Sequence, residues 1–87
     1  MNVHRLKIRP EFAKAIAVGD KTFEIRDNSD RGFQKGDLVS FVCYDGTSYC
    51  DDDNPIKGQK FVITYVLGGW GLKDNWVVFS FKPVENP

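Results

Sequence analysis

From residue 3 to residue 8 the chain alternates, with His4, Leu6 and Ile8 on one face of an extended segment and Val3, Arg5 and Lys7 on the other. A period of two is what a half-buried strand requires. His4 shares its face with two aliphatic side chains and is read as a partly buried, hydrogen-bonded residue, not as a catalyst. Pro10 then fits the first turn of a helix, Glu11 suits its positive end and Gly19 supplies a stop. A short helix is expected over residues 10–18, burying Phe12, Ala15 and Ile16. Residues 22–26 alternate again, Phe23 and Ile25 against Thr22, Glu24 and Arg26.

Turn formers fill residues 27–36, and Lys35-Gly36-Asp37 marks a tight turn into an apolar strand over residues 38–44. A polar loop follows over residues 45–58. Two later strands are expected over residues 60–67 and 76–82, separated by the glycine-rich residues 68–71 and ended by Pro83. Five strands and one helix in so short a chain cannot alternate as βαβ units. The pattern predicts an α+β, mostly β fold: a largely antiparallel pseudobarrel of five or six strands with one short N-terminal helix packed at its end. Residues 1–87 are read as one domain, since no repeat, low-complexity tract or linker divides them.

Composition narrows the classes. With 87 residues only one thin core can be built, and seven Phe, three Tyr and two Trp are an efficient way to fill it. The formal net charge is zero, but residues 1–36 carry eight Lys/Arg against five Asp/Glu, and residues 37–87 carry four against seven. That balance argues against bulk polyelectrolyte binding and leaves room for a local basic cleft. Cys43 and Cys50 form neither a CxxC pair nor a four-ligand set with His4, so no metal and no cofactor is expected. The Met-Asn-Val-His-Arg opening has no apolar leader, and no apolar run is long enough to span a bilayer. A disulfide between Cys43 and Cys50 would close a hairpin loop, but nothing in the opening points to an oxidising compartment. A cytoplasmic protein with reduced thiols and no membrane partner is therefore the expectation.

The run Gly19-Asp20-Lys21-Thr22-Phe23-Glu24-Ile25-Arg26, with Asn28, Asp30-Arg31, Phe33 and Gly36-Asp37 after it, resembles the signature of the ASCH superfamily. Within it the chain is most similar to the small bacterial and phage-associated proteins known as DUF3850. His4-x-Leu6-Lys7-Ile8 and Gly71-Leu72 fit the same group, so the resemblance covers nearly the whole chain. It implies a PUA-like pseudobarrel in which the Gly-x-Lys-Thr turn leads into a strand bordering a cleft, and an RNA-binding role. Some bacterial relatives hydrolyse the acetyl group of N4-acetylcytidine, and they match this chain at Gly19, Lys21, Thr22, Ile25, Arg26 and Asp27. At their catalytic threonine position this chain has Glu24. A carboxylate does not replace a hydroxyl nucleophile without a different covalent step, and Thr22 lies roughly 6.5 to 7 Å away along a strand.

Binding rather than catalysis is therefore the expectation: an RNA or modified-nucleoside site formed by Lys21, Thr22, Glu24, Arg26, Asn28 and Arg31, with Trp70 as a stacking platform. Arg26 suits a planar phosphate or base edge, and Glu24 suits an exocyclic amine or ligand hydroxyl. The plainer alternatives are that residues 21, 22, 24 and 26 are a solvated strand face, that residues 28–31 are a polar connection, and that Trp70 folds back over the barrel mouth. Residues 51–53 read as a solvated acidic loop, because Pro55 interrupts any EF-hand continuation. Two other functions compete: a small nucleoside or RNA hydrolase using Lys21 and Glu24 as acid/base groups, and a protein-interaction or phage accessory role.

Overall fold

The computed structural model describes residues 2–84. Its elements are β1 (Val3–Ile8), α1 (Pro10–Ala17), β2 (Phe23–Asp27), β3 (Leu38–Cys43), a 3₁₀ turn (Asp51–Asp53), β4 (Phe61–Gly68) and β5 (Trp76–Pro83). Among the described residues five strands form one curled sheet in the order β1-β3-β4-β5-β2. The expected mostly β, α+β pseudobarrel with one short helix is what folds. The β1–β3 pairing is parallel, while β3–β4, β4–β5 and β2–β5 are antiparallel. A parallel pair needs a long crossover, and the stretch holding α1 and β2 supplies it.

β1 buries His4, Leu6 and Ile8 in strict alternation, as its sequence dictates. In α1, Pro10 occupies the first turn and Arg9 takes an extended N-cap conformation. The helix ends one residue earlier than expected, with Val18 as its C-cap. Gly19 follows at φ +85°, and its amide donates to Ile16 while that of Asp20 donates to Ala15. These two bonds make a Schellman stop, whose left-handed residue favours glycine. The helix buries Ala13 and Ile16, with Ala15 half-buried.

Phe12, expected inside, is 46% exposed. Its ring leans outward beside Lys21, whose ammonium lies 5.5 Å from the ring centroid. The strand boundaries shift by a residue or so from expectation. Tyr44 leaves β3 to pair with Tyr49 in an isolated bridge, and Pro83 ends β5 opposite Phe61 on β4.

Five phenylalanines pack among aliphatic side chains in the core. Phe61 and Phe81 meet edge to face at 5.1 Å, Phe41 packs on both, and Phe33 lies 4.9 Å from Phe79. Ring pairs at these separations add about 0.5–1.5 kcal/mol each beyond the area they bury. The two edges of the sheet, β1 and β2, are linked by Arg26, whose Nη2 donates to the Lys7 carbonyl at 2.6 Å. That side chain fastens the curl of the sheet and places its guanidinium beside the outer face of β1.

Candidate functional site

β2 is oriented against the simplest reading of its pattern. Phe23 and Ile25 face outward, half-exposed, and Glu24 is buried at 6% exposure, so a solvated face for residues 21, 22, 24 and 26 is not what forms. The reason lies in the charges around it. Lys21 Nζ donates to Glu24 Oε2, and Arg26 Nη2 donates to Glu24 Oε1 at 2.9 Å. A carboxylate held by two cations tolerates burial that a lone one does not. Lys21 also donates to the Phe23 carbonyl at 2.5 Å and lies 5.1 Å from the Phe23 centroid. The outward aromatic residues thus serve as a cover for its ammonium.

A cleft of about 620 Å³ is lined by Arg5, Lys7, Arg26, Arg31, Val42, Tyr49 and Asp51. Arg5, Lys7 and Val42 come from the outer faces of β1 and β3, where Arg5 pairs with Ser40 and Lys7 with Val42. Four basic side chains face one carboxylate there, in a chain whose formal charge is zero. Tyr49, 62% exposed, stands beside Lys7, whose ammonium lies 4.6 Å from the Tyr44 centroid and 5.6 Å from that of Tyr49. Hydrogen bonds from the Cys43 amide, then from the Asn54 side chain, hold the Asp51 carboxyl below the usual carboxylate range. Asp51 is therefore ionised at neutral pH, and the cleft carries both a dominant positive field and one fixed acceptor.

A smaller opening of about 270 Å³ lies beyond Glu24, lined by Phe12, Lys21, Phe23, Glu24 and Ile25. The residues singled out from the sequence are consequently divided. Arg26 and Arg31 line the basic cleft, and Lys21 and Glu24 line the smaller pocket. Thr22 is exposed, and its carbonyl accepts from Phe81. Asn28 shapes the connection, its Oδ1 accepting from the Phe33 amide at 2.7 Å. Trp70 is 89% exposed at φ +53° in the β4–β5 loop, so its ring does not fold over the barrel mouth. It lines neither opening.

Arg5, Lys7, Tyr49 and Asp51 were missed as site residues. The alternation of β1 does put Arg5 and Lys7 on one face, but nothing local links that face to Tyr49. In the acidic loop Asp52 and Asp53 are exposed as expected, whereas Asp51 is pinned inward by its hydrogen bonds.

His4 is buried, with Nε2 lying 2.9 Å from Asp37 Oδ2 and its ring 4.6 Å from Phe33. Asp37 also accepts from the Asn2 and Gln34 amides, each at 3.1 Å. Burial is the largest single influence on its carboxyl and pushes it up, but the His4 hydrogen bond and the two amide bonds together outweigh burial and leave it lowered. Among the described residues no buried side-chain polar atom lacks a partner, and no three His, Cys, Asp or Glu side chains gather as they would around a metal. No helix among them is long and apolar enough to cross a membrane.

The fold and the openings define a small curled-sheet protein with a basic, tyrosine-rimmed cleft. A family model described as a domain of unknown function, DUF3850, matches residues 3–81, and the chain belongs to that family. No curated protein matches the chain.

Proposed function

We propose that this protein is a binding module for RNA or a modified nucleoside, working in the cytoplasm, with its ligand in the cleft between the outer face of β1 and β3 and the rim formed by Arg26 and Arg31. One observation carries the reading: four basic side chains surround an exposed tyrosine in a cleft of about 620 Å³, although the chain has no net charge. Arg5, Arg26 and Arg31 suit phosphate oxygens. Tyr49 offers a face on which any base stacks, and the Asp51 carboxylate accepts from an exocyclic amine or a ribose hydroxyl. The resemblance of residues 19–26 to the ASCH signature, which implies a PUA-like pseudobarrel, supports the same class of ligand.

A hydrolase built on Lys21 and Glu24 is less well supported. Both Glu24 oxygens accept from cations and the side chain is buried, so Lys21 and Glu24 are engaged with each other as an ion pair and not held apart as an acid and a base.

Heteronuclear shift mapping with nucleosides and short single-stranded RNAs tests the proposal. Shifts centred on Arg5, Lys7, Arg31 and Tyr49 are expected, with a salt slope of roughly −1.5 to −2 for contact with two or three phosphates. Shifts confined to Asp52 and Asp53 would point to a protein partner instead. Incubation with N4-acetylcytidine, followed by chromatography, is expected to release no cytidine. Enzyme-like turnover abolished in Glu24→Ala would restore the hydrolase.

A further inference from the structure

The end of β3 and the loop after it hold chemistry that ligand binding does not use. Tyr44 and Tyr49 pair as an antiparallel bridge, and the Cys50 amide donates to the Cys43 carbonyl at 3.0 Å, so residues 43 and 50 stand opposite each other. Their side chains meet: the two Sγ atoms are 2.6 Å apart, and both cysteines are free thiols. The turn that brings them together is independently fixed. The Asp45 carboxylate accepts from the Thr47 and Ser48 amides, both at 2.8 Å, and Gly46 sits at φ +101° with the Arg9 guanidinium where a side chain would begin. Cys43 is buried and Cys50 is partly exposed, so only one of the two is open to a reagent.

We propose that Cys43 and Cys50 form a reversible dithiol–disulfide site that reacts with small disulfides of the glutathione class. The Cys50 thiol loses its proton to solvent, and its thiolate attacks one sulfur of the reagent. The reagent's S–S bond breaks, and one thiolate leaves and is protonated, while a mixed disulfide remains on Cys50. Cys43 then gives up its proton and attacks Cys50 Sγ. The mixed disulfide breaks, the second thiolate leaves and is protonated, and the protein disulfide is complete. The protein dithiol loses two electrons and two protons, and the reagent gains both as it becomes two thiols. Burial first, and then the contact with Cys50, push the Cys43 thiol up to about 11, which fits Cys50 making the first attack. The new bond would close residues 43–50 into a ring carrying Tyr49 on the cleft wall.

The test is intact-mass analysis of the native full chain after equilibration at graded ratios of reduced to oxidised glutathione, with acid quenching and alkylation. Wild type is expected to lose both thiol hydrogens, retain no glutathione, remain monomeric on a non-reducing gel and gain Tm, all reversed by reductant. Cys43→Ser is expected to trap glutathione on Cys50, and Cys50→Ser to leave Cys43 unmodified while folded. Circular dichroism establishes that each serine variant is folded. If either variant fails to fold, the wild-type mass shift decides alone. Glutathione retained on wild type, full alkylation of both thiols under oxidising ratios, a disulfide-linked dimer, or closure only after unfolding in urea would each overturn the site. Because the readout involves no nucleic acid, its result is independent of the proposed ligand.

Discussion

Glu24 and Asp37 are both buried carboxylates, 6% and 4% exposed, yet they are satisfied in opposite ways. Asp37 is sealed: His4 and two backbone amides converge on it from separate segments, and Phe33 packs against the His4 ring. Glu24 is ported, because its two partners are long cations that each reach an opening, Lys21 the smaller pocket and Arg26 the basic cleft. A buried carboxylate is therefore not a site in itself. What matters is whether its partners keep donors facing a cavity. Arg26 uses Nη2 for Glu24 and for the Lys7 carbonyl, and the rest of its guanidinium fork is available to a ligand.

The largest effect should come from the sealed cluster. Asp37→Ala strands three donors at once, and a loss of about 3 to 5 kcal/mol in urea-unfolding stability is expected. A loss below about 1 kcal/mol would erase the distinction between the two carboxylates. Glu24→Ala should cost less, about 1 to 3 kcal/mol, since Lys21 and Arg26 can turn into their openings and regain water. Equal costs for the two substitutions would mean that Glu24 is as sealed as Asp37.

Acid unfolding sharpens the contrast further. The folded-state pKa of Asp37 lies below its ordinary value of 3.8, so its contribution to stability is complete above that value. That contribution disappears as the pH falls through the lowered folded value. Asp37→Asn should flatten the acid limb of the stability curve measured from about pH 5 downward. Part of the limb should remain, because the carboxyls of Asp27, Asp45 and Asp51 are also lowered and titrate in the same window. An unchanged limb would remove Asp37 from the acid response.

The two carboxylates also separate what was legible in the sequence from what was not. β1 was readable because one of its faces is apolar except for His4, and the stop of α1 was readable because Gly19 supplies a left-handed cap. In β2 the alternation revealed which residues share a face but not which face turns inward. Two aromatic or aliphatic residues against Thr22, Glu24 and Arg26 point the wrong way unless Lys21 is seen folding back onto Glu24. That contact depends on the helix stop placing residue 21 beside the strand. Arg5, Lys7 and Tyr49 escaped notice for a non-local reason. They meet only because β1 pairs in parallel with β3, and because the loop after β3 turns back at residues 44–49.

The smallest effect concerns two of the exposed aromatic residues, Trp70, found from the sequence, and Tyr49, found from the structure. Tyr49 rims the cleft, and Tyr49→Ala should weaken single-stranded RNA binding by about 1 to 3 kcal/mol if a base stacks on it. Trp70 rims nothing and sits at φ +53°, a conformation that a bulky side chain adopts only under strain of about 1 to 3 kcal/mol. Glycine relieves that strain but enlarges the unfolded ensemble, at a cost of about 0.5 to 1 kcal/mol. Trp70→Gly should therefore leave RNA affinity unchanged and shift folding stability upward by about 0 to 2.5 kcal/mol. The first quantity is read by fluorescence anisotropy and the second by urea unfolding. Lost affinity in Trp70→Gly, with Tyr49→Ala unaffected, would move the ligand from the Arg26 cleft to the β4–β5 loop. The ported carboxylate would then be as structural as the sealed one.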